Sequence, residues 1–209
     1  MISTLSVITP ATARDLTTLD AAKAELSLAD ASADTALAAM IAQASAAIGS
    51  WCRRPEGFGR ETVAQTVRRM PGDPAPARLI LDRDLAPAVT SVTADGAELG
   101  PDEWALDGSL LLRLCCDRPS HWRSIKTVIT YTAGYDLPAG CPADLARACL
   151  ELVTRLWHAA GRDPSLRTSS VEGVGANSWS DPDKVALALV DGLPAEIAAR
   201  LSPYKRWSV

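Results

Sequence analysis

The stretch from Lys126 to Trp157 constrains the fold most strongly, because a strand pattern passes through a short turn into a helix pattern. In its first part, Ile129 and Tyr131 alternate with smaller β-branched residues, at the two-residue period of a β-strand with one buried face. From Pro142 onward, apolar side chains recur every three or four residues, at Leu145, Cys149, Leu152, Val153 and Leu156. This spacing predicts an amphipathic helix over 142–157.

A second helix with a matching apolar stripe is predicted over 34–52, after a cap at Ser32 or Asp34. Its stripe residues are Leu37, Met40, Ile41, Ala44, Ile48 and Trp51. The many alanines of this stretch favour a helix and permit close helix approach. We expect the two helices to pack together as the core pair, so that Leu152→Asp would cost several kcal/mol. Shorter helices are predicted at 19–28, capped by Thr17 or Thr18, at 184–190 and at 195–201.

The region between the two long helices has short apolar runs separated by turn residues, which predicts an antiparallel β insertion. Asp107-Gly108 lies between two such runs and supplies the positive φ angles of a tight hairpin, as Asp95-Gly96 does in a similar position. The Pro-rich segment 70–77 is predicted to be a loop. The candidate strands are 61–68, 78–81, 88–93, 103–106, 109–114 and 126–132.

The predicted fold class is α+β, a small helical bundle with an inserted antiparallel β region and an extended C-terminal tail. We expect 1–209 to form a single domain, with a helical core at 17–55 and 142–202, a β insertion at about 60–133 and a tail at 203–209. Residues 1–16 are predicted to be an extended arm. A chain of 209 residues is long enough for one sizeable core with a small appended subdomain.

Composition excludes several classes of function. The net charge of −4 argues against nucleic acid as a broad electrostatic partner. No apolar run approaches the roughly 20 residues that span a bilayer, and the first residues lack the features of a signal peptide, so no membrane association is expected. Five cysteines are an odd number, which is typical of unpaired thiols in a reducing cytosol rather than a disulfide framework.

No constellation of residues predicts a catalytic, cofactor-binding or metal site. The GVGANS segment at 173–178 lacks the Gly-Lys-Ser/Thr of a phosphate loop. Adjacent cysteines such as Cys115 and Cys116 would point to opposite faces of a strand. The paired arginines at 53–54 and 68–69 are expected on solvated edges or paired with acidic groups of a neighbour, and binding to DNA phosphate is the weaker option. Two alternatives stay open, a small cytosolic hydrolase that uses Cys141 or Cys149 with His158, and a monomeric assembly chaperone.

Three motifs follow one another along the chain. The first is an N-terminal helix with Leu19, Ala22, Lys23 and Leu26, an acidic break and a long Ala-rich helix. The second is the strand, Tyr-x-Ala-Gly-Tyr turn and Pro-led helix of 128–157. The third is a Gly/Ser segment at 171–180 followed by the ending LSPYKR at 201–206. In this order the motifs resemble the head–tail connector (adaptor) proteins of tailed phages and of phage-like gene transfer agents.

The resemblance implies a structural role without enzymatic activity. Such adaptors form a dodecameric ring beneath the portal protein, extend the DNA channel and offer a platform to a downstream tail or stopper protein, while DNA is only passing cargo. The implied location is the neck of a virion or phage-like particle that is assembled in the bacterial cytoplasm. No cofactor is implied.

Two sets of residues are candidates for contacts in such an assembly. The Gly/Ser-rich segment 162–182 is predicted to join neighbouring subunits through Ser169, Ser170, Val171, Gly173, Gly175 and Ser178, and one short strand is expected near 169–174. The tail after Pro203 is predicted to be exposed and to dock onto the portal, because its residue types dominate binding hot spots. These residues are Tyr204, Lys205, Arg206 and Trp207. We expect removal of 203–209 to leave thermal stability nearly unchanged.

Overall fold

The computed structural model describes residues 1–160, 168–171, 175–178, 189–190 and 192–206. The chain divides into two compact units, which are described separately. The β unit comprises 1–13 and 58–136, and the helical unit comprises 14–57 and 137–209. Antiparallel sheets and four helices in the described residues confirm the α+β class.

The β unit contains two antiparallel sheets. The five-stranded sheet has the order β1 (Ile2–Thr9), β2 (Glu61–Arg68), β9 (Lys126–Ala133), β4 (Ala88–Ala94) and β5 (Ala97–Glu98). The second sheet has the order β3 (Arg78–Ile80), β7 (Leu110–Cys115) and β6 (Trp104–Asp107), and β8 (Arg118–Ser120) also pairs with β7. All six predicted strands are therefore present, with small shifts at their ends.

Strand β9 lies at the centre of the larger sheet and shows the predicted alternation. Thr127, Ile129, Tyr131 and Ala133 are buried, while the residues between them are half-buried. The predicted N-terminal arm is instead an edge strand over much of its length, since Ile2 pairs with Arg68 and the register continues to Thr9 opposite Thr62. The apolar and β-branched residues of β1 suit a pleated surface, which explains why it joins the sheet.

Tight turns determine several of the pairings. Asp95 and Gly96 have φ angles of 49° and 89° and connect β4 to β5, which is the backbone of a two-residue hairpin with both φ angles positive. The predicted hairpin between β6 and β7 is present, but its loop residues are Gly108, at a φ of 59°, and Ser109, because Asp107 still pairs with Leu110 at the end of β6. A further hairpin was not predicted: Cys116 and Asp117, with φ angles of 53° and 60°, connect β7 to β8. Cys116 therefore lies in a turn and not on a strand beside Cys115.

A buried polar network connects parts of the β unit. Gln65 is 0% exposed, and its Oε1 accepts hydrogen bonds from Tyr131 Oη at 2.9 Å and from the Asp82 N–H at 3.0 Å. Its Nε2 donates to the Ile80 carbonyl at 2.9 Å and to Ser3 Oγ at 3.0 Å. Burial raises the pKa of Tyr131 to about 12, so the phenol keeps the proton that it donates. The full hydrogen-bonding capacity of the Gln65 side chain is used.

The two ends of the inserted segment meet inside the β unit. The Arg60 N–H donates to the Tyr135 carbonyl, and the Tyr135 N–H donates to the Phe58 carbonyl, both at 2.8 Å. Gly134, at a φ of 99°, lies so close that a Cβ there would be 2.3 Å from the Gly59 carbonyl oxygen. Only glycine combines this φ with this approach, because any side chain would collide with the backbone.

The helical unit contains α1 (Leu19–Glu25), α2 (Asp34–Trp51), α3 (Ala143–Ala160) and α4 (Ala195–Leu201). It also contains the strand pairs β10 (Thr168–Val171) with β11 (Gly175–Ser178), and β12 (Leu189–Val190) with β13 (Leu193–Pro194). Two strands thus occupy the region where one was predicted. The predicted helix at 184–190 is wrong at Leu189 and Val190, which form a strand, and its other residues lie outside the described ones.

Helices α2 and α3 pack against each other, as predicted. At their contact, Ser45 Oγ lies 3.6 Å from Cys149 Sγ, and Ser45 Oγ also accepts a hydrogen bond from the Leu16 N–H at 3.1 Å. Leu152, which was expected in the core, is only half-buried. Its neighbour Val153 is fully buried at the contact instead. The buried α3 residues are Leu145, Ala148, Cys149 and Val153.

Helix caps follow the sequence in one case and not in the other. Thr18 caps α1, accepting a hydrogen bond from the Ala21 N–H at 3.1 Å. Neither Ser32 nor Asp34 caps α2, since its N-cap is Ala33, and Asp34 instead accepts a 2.7 Å ion-paired hydrogen bond from Lys23. No helix among the described residues is both long and apolar enough to cross a membrane.

Candidate functional site

The C-terminal residues predicted to bind a partner follow α4 directly. A 3-10 turn at Ser202–Tyr204 continues the helix. Lys205 follows with an extended backbone, and neither Lys205 nor Arg206 belongs to a helix or strand. Leu201 anchors the start of this segment, because its side chain is fully buried. The C-terminal segment 202–206 thus begins at the core of the helical unit.

The end of α2 is shaped to receive this segment. Arg53 has a φ of 58°, its N–H donates to the Ser50 carbonyl at 3.0 Å, and the Arg54 N–H donates to the Gly49 carbonyl at 2.8 Å. These two bonds are the pattern of a Schellman motif, with arginine where glycine is the usual residue. The turn leaves Arg54 only 3% exposed.

Four residue pairs hold the C-terminal segment at this helix end, and we call them the C-terminal clasp. Arg54 Nε donates to the Tyr204 carbonyl at 2.8 Å, and the Arg206 N–H donates to the Cys52 carbonyl at 2.9 Å. The Arg206 guanidinium also forms an ion pair with Glu56. Lys205 Nζ lies 4.3 Å from the centre of the Trp51 ring, within the range of a cation–π contact.

The expectation of an exposed tail is therefore wrong for Tyr204, Lys205 and Arg206, which are half-buried. The physical reason is that the carbonyl groups at the end of α2 need donors, and the tail supplies one. Of the placements expected for Arg54, the solvated edge is wrong, because Arg54 is buried, whereas Arg53 is exposed as expected. Trp207 lies outside the described residues.

We expect Arg54→Met to destabilise the helical unit by about 2–3 kcal/mol, because the substitution leaves the Tyr204 carbonyl without its charged donor. The thermal midpoint should fall, and amide exchange in 202–206 should accelerate. Arg53→Met is the matched control, since Arg53 is the exposed neighbour in the same turn, and it should change stability little. An Arg54→Met protein that melts with the wild type would contradict the clasp.

Most of the predicted inter-subunit residues lie on the strands of one hairpin. Residues 168–171 pair antiparallel with 175–178, from Thr168 opposite Ser178 to Val171 opposite Gly175. Five of the six predicted residues are therefore on its strands, and Gly173 lies outside the described residues. In the part of the chain that the structure describes, β10 and β11 pair only with each other. Their sequences, TSSV and GANS, carry no charge.

The geometry opposes a cysteine–histidine hydrolase. Cys149 is buried in the middle of α3, and burial raises its pKa to about 11. His158 follows nine residues later on the same helix, about 13.5 Å along its axis at 1.5 Å per residue. Cys141 precedes the opposite end of α3, and burial raises its pKa to about 12. Neither thiol can therefore reach His158 for proton transfer. The described residues also hold no group of three or more metal-ligating side chains.

Comparison with solved structures relates nearly the whole chain to components of gene transfer agent (GTA) particles. A chain from the neck of an empty GTA particle computed with C6 symmetry is 17% identical, has a TM-score of 0.54, and aligns over 99% of this chain and 97% of its own. A chain from the neck of a native particle computed with C12 symmetry is 16% identical, with a TM-score of 0.51 and the same coverage. A chain from the virion of a native GTA particle is 14% identical, has a TM-score of 0.52, and aligns over 98% and 96% of the two chains.

At these identities the likeness is one of fold, and it confirms at that level the resemblance drawn from the sequence motifs. No family model matches the sequence, and no curated protein matches it significantly.

Proposed function

We propose that the protein is a structural head–tail connector (adaptor) subunit, which forms a ring under a portal protein, extends the DNA channel and joins a capsid to a tail. The observation that carries the proposal is the fold likeness to GTA neck chains, which spans at least 97% of this chain and of theirs in two structures. The three sequence motifs point in the same direction. In this proposal the helical unit is a small bundle, and it would act with the β unit as one connector domain.

The proposed assembly is a dodecameric ring, and one of the neck reconstructions that this fold resembles was computed with C12 symmetry. Subunits of a ring meet head to tail through two different surfaces. We assign one of these to the hairpin with Ser169, Ser170, Val171, Gly173, Gly175 and Ser178. DNA would be passing cargo, because a chain of net charge −4 does not attract phosphate. The ring would lie in the particle neck after assembly in the bacterial cytoplasm, with a tail or stopper protein below it.

The portal would bind the C-terminal tail, Tyr204, Lys205, Arg206 and Trp207. The clasp engages Tyr204, Lys205 and Arg206, so in this proposal they hold the segment before Trp207 at the end of α2. Trp207 is the aromatic anchor that we expect to enter the portal. No catalytic step and no cofactor are part of this function.

Two truncations test the proposal. Removal of 207–209 should leave thermal stability unchanged and weaken binding to the portal at least tenfold, about 1.4 kcal/mol. Removal of 203–209 should weaken binding and also lower the thermal midpoint, because it takes away the clasp partners of Arg54 and Glu56. Interferometry with immobilised portal measures the first effect and calorimetry the second.

Each outcome separates the alternatives. Equal portal affinity of the 207–209 truncation and the full chain would refute the docking role of Trp207. A full-length protein that binds no portal, remains a monomer and is absent from finished particles would refute the connector and favour an assembly chaperone.

A further inference from the structure

Strand β1 is an open edge of the five-stranded sheet. Within the described residues its only neighbour is β2, so its other side presents unpaired main-chain N–H and C=O groups. Such an edge can bind a further extended chain by continuing the hydrogen-bond ladder.

Between Ile2 and Thr9 this edge lacks the charges and prolines that often protect an exposed strand against pairing. Natural proteins place lysines, prolines or other charges on exposed edge strands. The eight residues of β1, ISTLSVIT, contain none of these. In a chain with 22% charged residues, a stretch of this length would hold about two. The one irregularity in its pairing is between Val7 and Thr9, which leaves Ile2 to Val7 in regular register.

Several exposed apolar side chains belong to the same strand. Among the described residues, the large hydrophobic side chains that are 47–65% exposed are Met1, Ile2, Val7, Ile8, Met70, Ile80 and Ile125. The first four are on β1 or directly before it. The Met1 amine and the Met70 N–H both donate to the Asp73 carboxylate. The Ile125 carbonyl accepts a hydrogen bond from the Arg69 N–H, and Arg69 follows Arg68, the residue that pairs with Ile2. The Ile80 carbonyl and Ser3 Oγ of β1 both accept hydrogen bonds from the Gln65 side-chain amide. The edge strand is therefore apolar at both of its ends, and a partner strand that covered it would also remove apolar surface from water.

We propose that β1 is the surface on which a second copy of this chain docks, and that the strand it receives comes from the β10–β11 hairpin of that copy. A two-stranded hairpin is marginally stable by itself and gains from a third strand, and this hairpin pairs with no other described strand. Both partners are uncharged, so the contact would rest on main-chain hydrogen bonds and apolar burial.

The inference rests on the proposed ring and specifies its interface. Because β1 and the hairpin are different surfaces of one chain, their pairing can run head to tail from copy to copy and close into a ring. Self-pairing of β1 would give only a two-fold dimer.

The test places charges on the edge. Thr4 and Ser6 are exposed on one face of β1 and donate weakly to the Thr66 and Ala64 carbonyls, at 3.4 Å and 3.2 Å. The double variant Thr4→Lys/Ser6→Lys should stay folded and require at least tenfold more protein to form rings on the portal. The matched control, Thr4→Val/Ser6→Val, removes the same hydroxyls without adding charge and should assemble like the wild type. Mass photometry measures the rings, and calorimetry measures folding.

Hydrogen exchange on the wild-type protein gives an independent readout. Amides of Ile2–Thr9 should gain protection when rings form. Deletion of 169–178 should prevent both ring formation and this gain in protection. If the lysine variant formed rings at the same protein concentration as the wild type, the inference about β1 would be overturned. The same holds if the β1 amides were as protected in the monomer as in the ring. Neither result would contradict the proposed connector function. A wild-type protein that forms no ring with the portal would contradict the proposed function as well.

Discussion

Val153→Asp is expected to unfold the helical unit or to destabilise it by about 4 kcal/mol or more. Val153 is 1% exposed on the buried face of α3, the helix that packs on α2. A carboxylate at this position would be buried without a partner, which is among the most costly single substitutions. Against a typical total stability of about 5–15 kcal/mol, the loss should be visible as a large fall in the urea midpoint.

Two neighbouring variants make this prediction specific. Leu152→Asp changes the adjacent, half-buried residue and should lower the free energy of unfolding distinctly less than Val153→Asp does. The sequence alone had pointed to Leu152 as the costly position. Val153→Asn introduces polarity without charge, so the difference between Asn and Asp should shrink as the pH falls and the carboxyl is protonated. If Val153→Asp and Leu152→Asp had equal midpoints, the assignment of the buried face would be wrong.

Gln65→Leu is expected to destabilise the β unit by about 3–5 kcal/mol, although leucine is apolar and similar in size. The substitution deprives the Tyr131 hydroxyl, the Asp82 N–H and the Ile80 carbonyl of the partners they have in the network. Each buried polar group left without a partner costs about 1–3 kcal/mol. Chemical denaturation measures the loss.

A double-mutant cycle with Tyr131→Phe identifies the cause. Tyr131→Phe removes the hydroxyl that Gln65 binds, so adding it to Gln65→Leu should cost less than it does alone. Strictly additive losses would mean that the hydroxyl and the amide are not coupled, which would contradict the network.

Features encoded by neighbouring residues could be predicted from the sequence. The alternation of β9, the stripe of α3 and the turn at Gly108 each depend on local spacing or on one residue type. The hairpin at Cys116 and Asp117 was missed because cysteine is not a residue that favours positive φ. The edge strand β1 was missed because its neighbour, β2, is distant in sequence, and a lone apolar segment does not specify its partner.

The candidate site was predicted only in part, for the same reason. Residue types identified 204–206 as unusual, yet the contacts that hold them come from a helix end 150 residues away in the case of Arg54 and Tyr204. A buried arginine depends entirely on partners that local pattern does not reveal. The hairpin composition indicated a special segment, and pairing between its strands required the three-dimensional structure.

The meeting of Phe58 and Tyr135 also bears on the order in which the chain can fold. Helices α2 and α3 are separated by the whole inserted segment, so bringing them together from the unfolded chain closes a long loop. Once the bonds at Phe58, Arg60 and Tyr135 have formed, the effective loop is roughly sixfold shorter. Since each doubling of loop length costs about 0.6 kcal/mol, prior formation of the sheet lowers the entropic barrier to helix pairing by about 1.6 kcal/mol. We therefore expect the two helices to pair more readily after the inserted sheet has formed than before it.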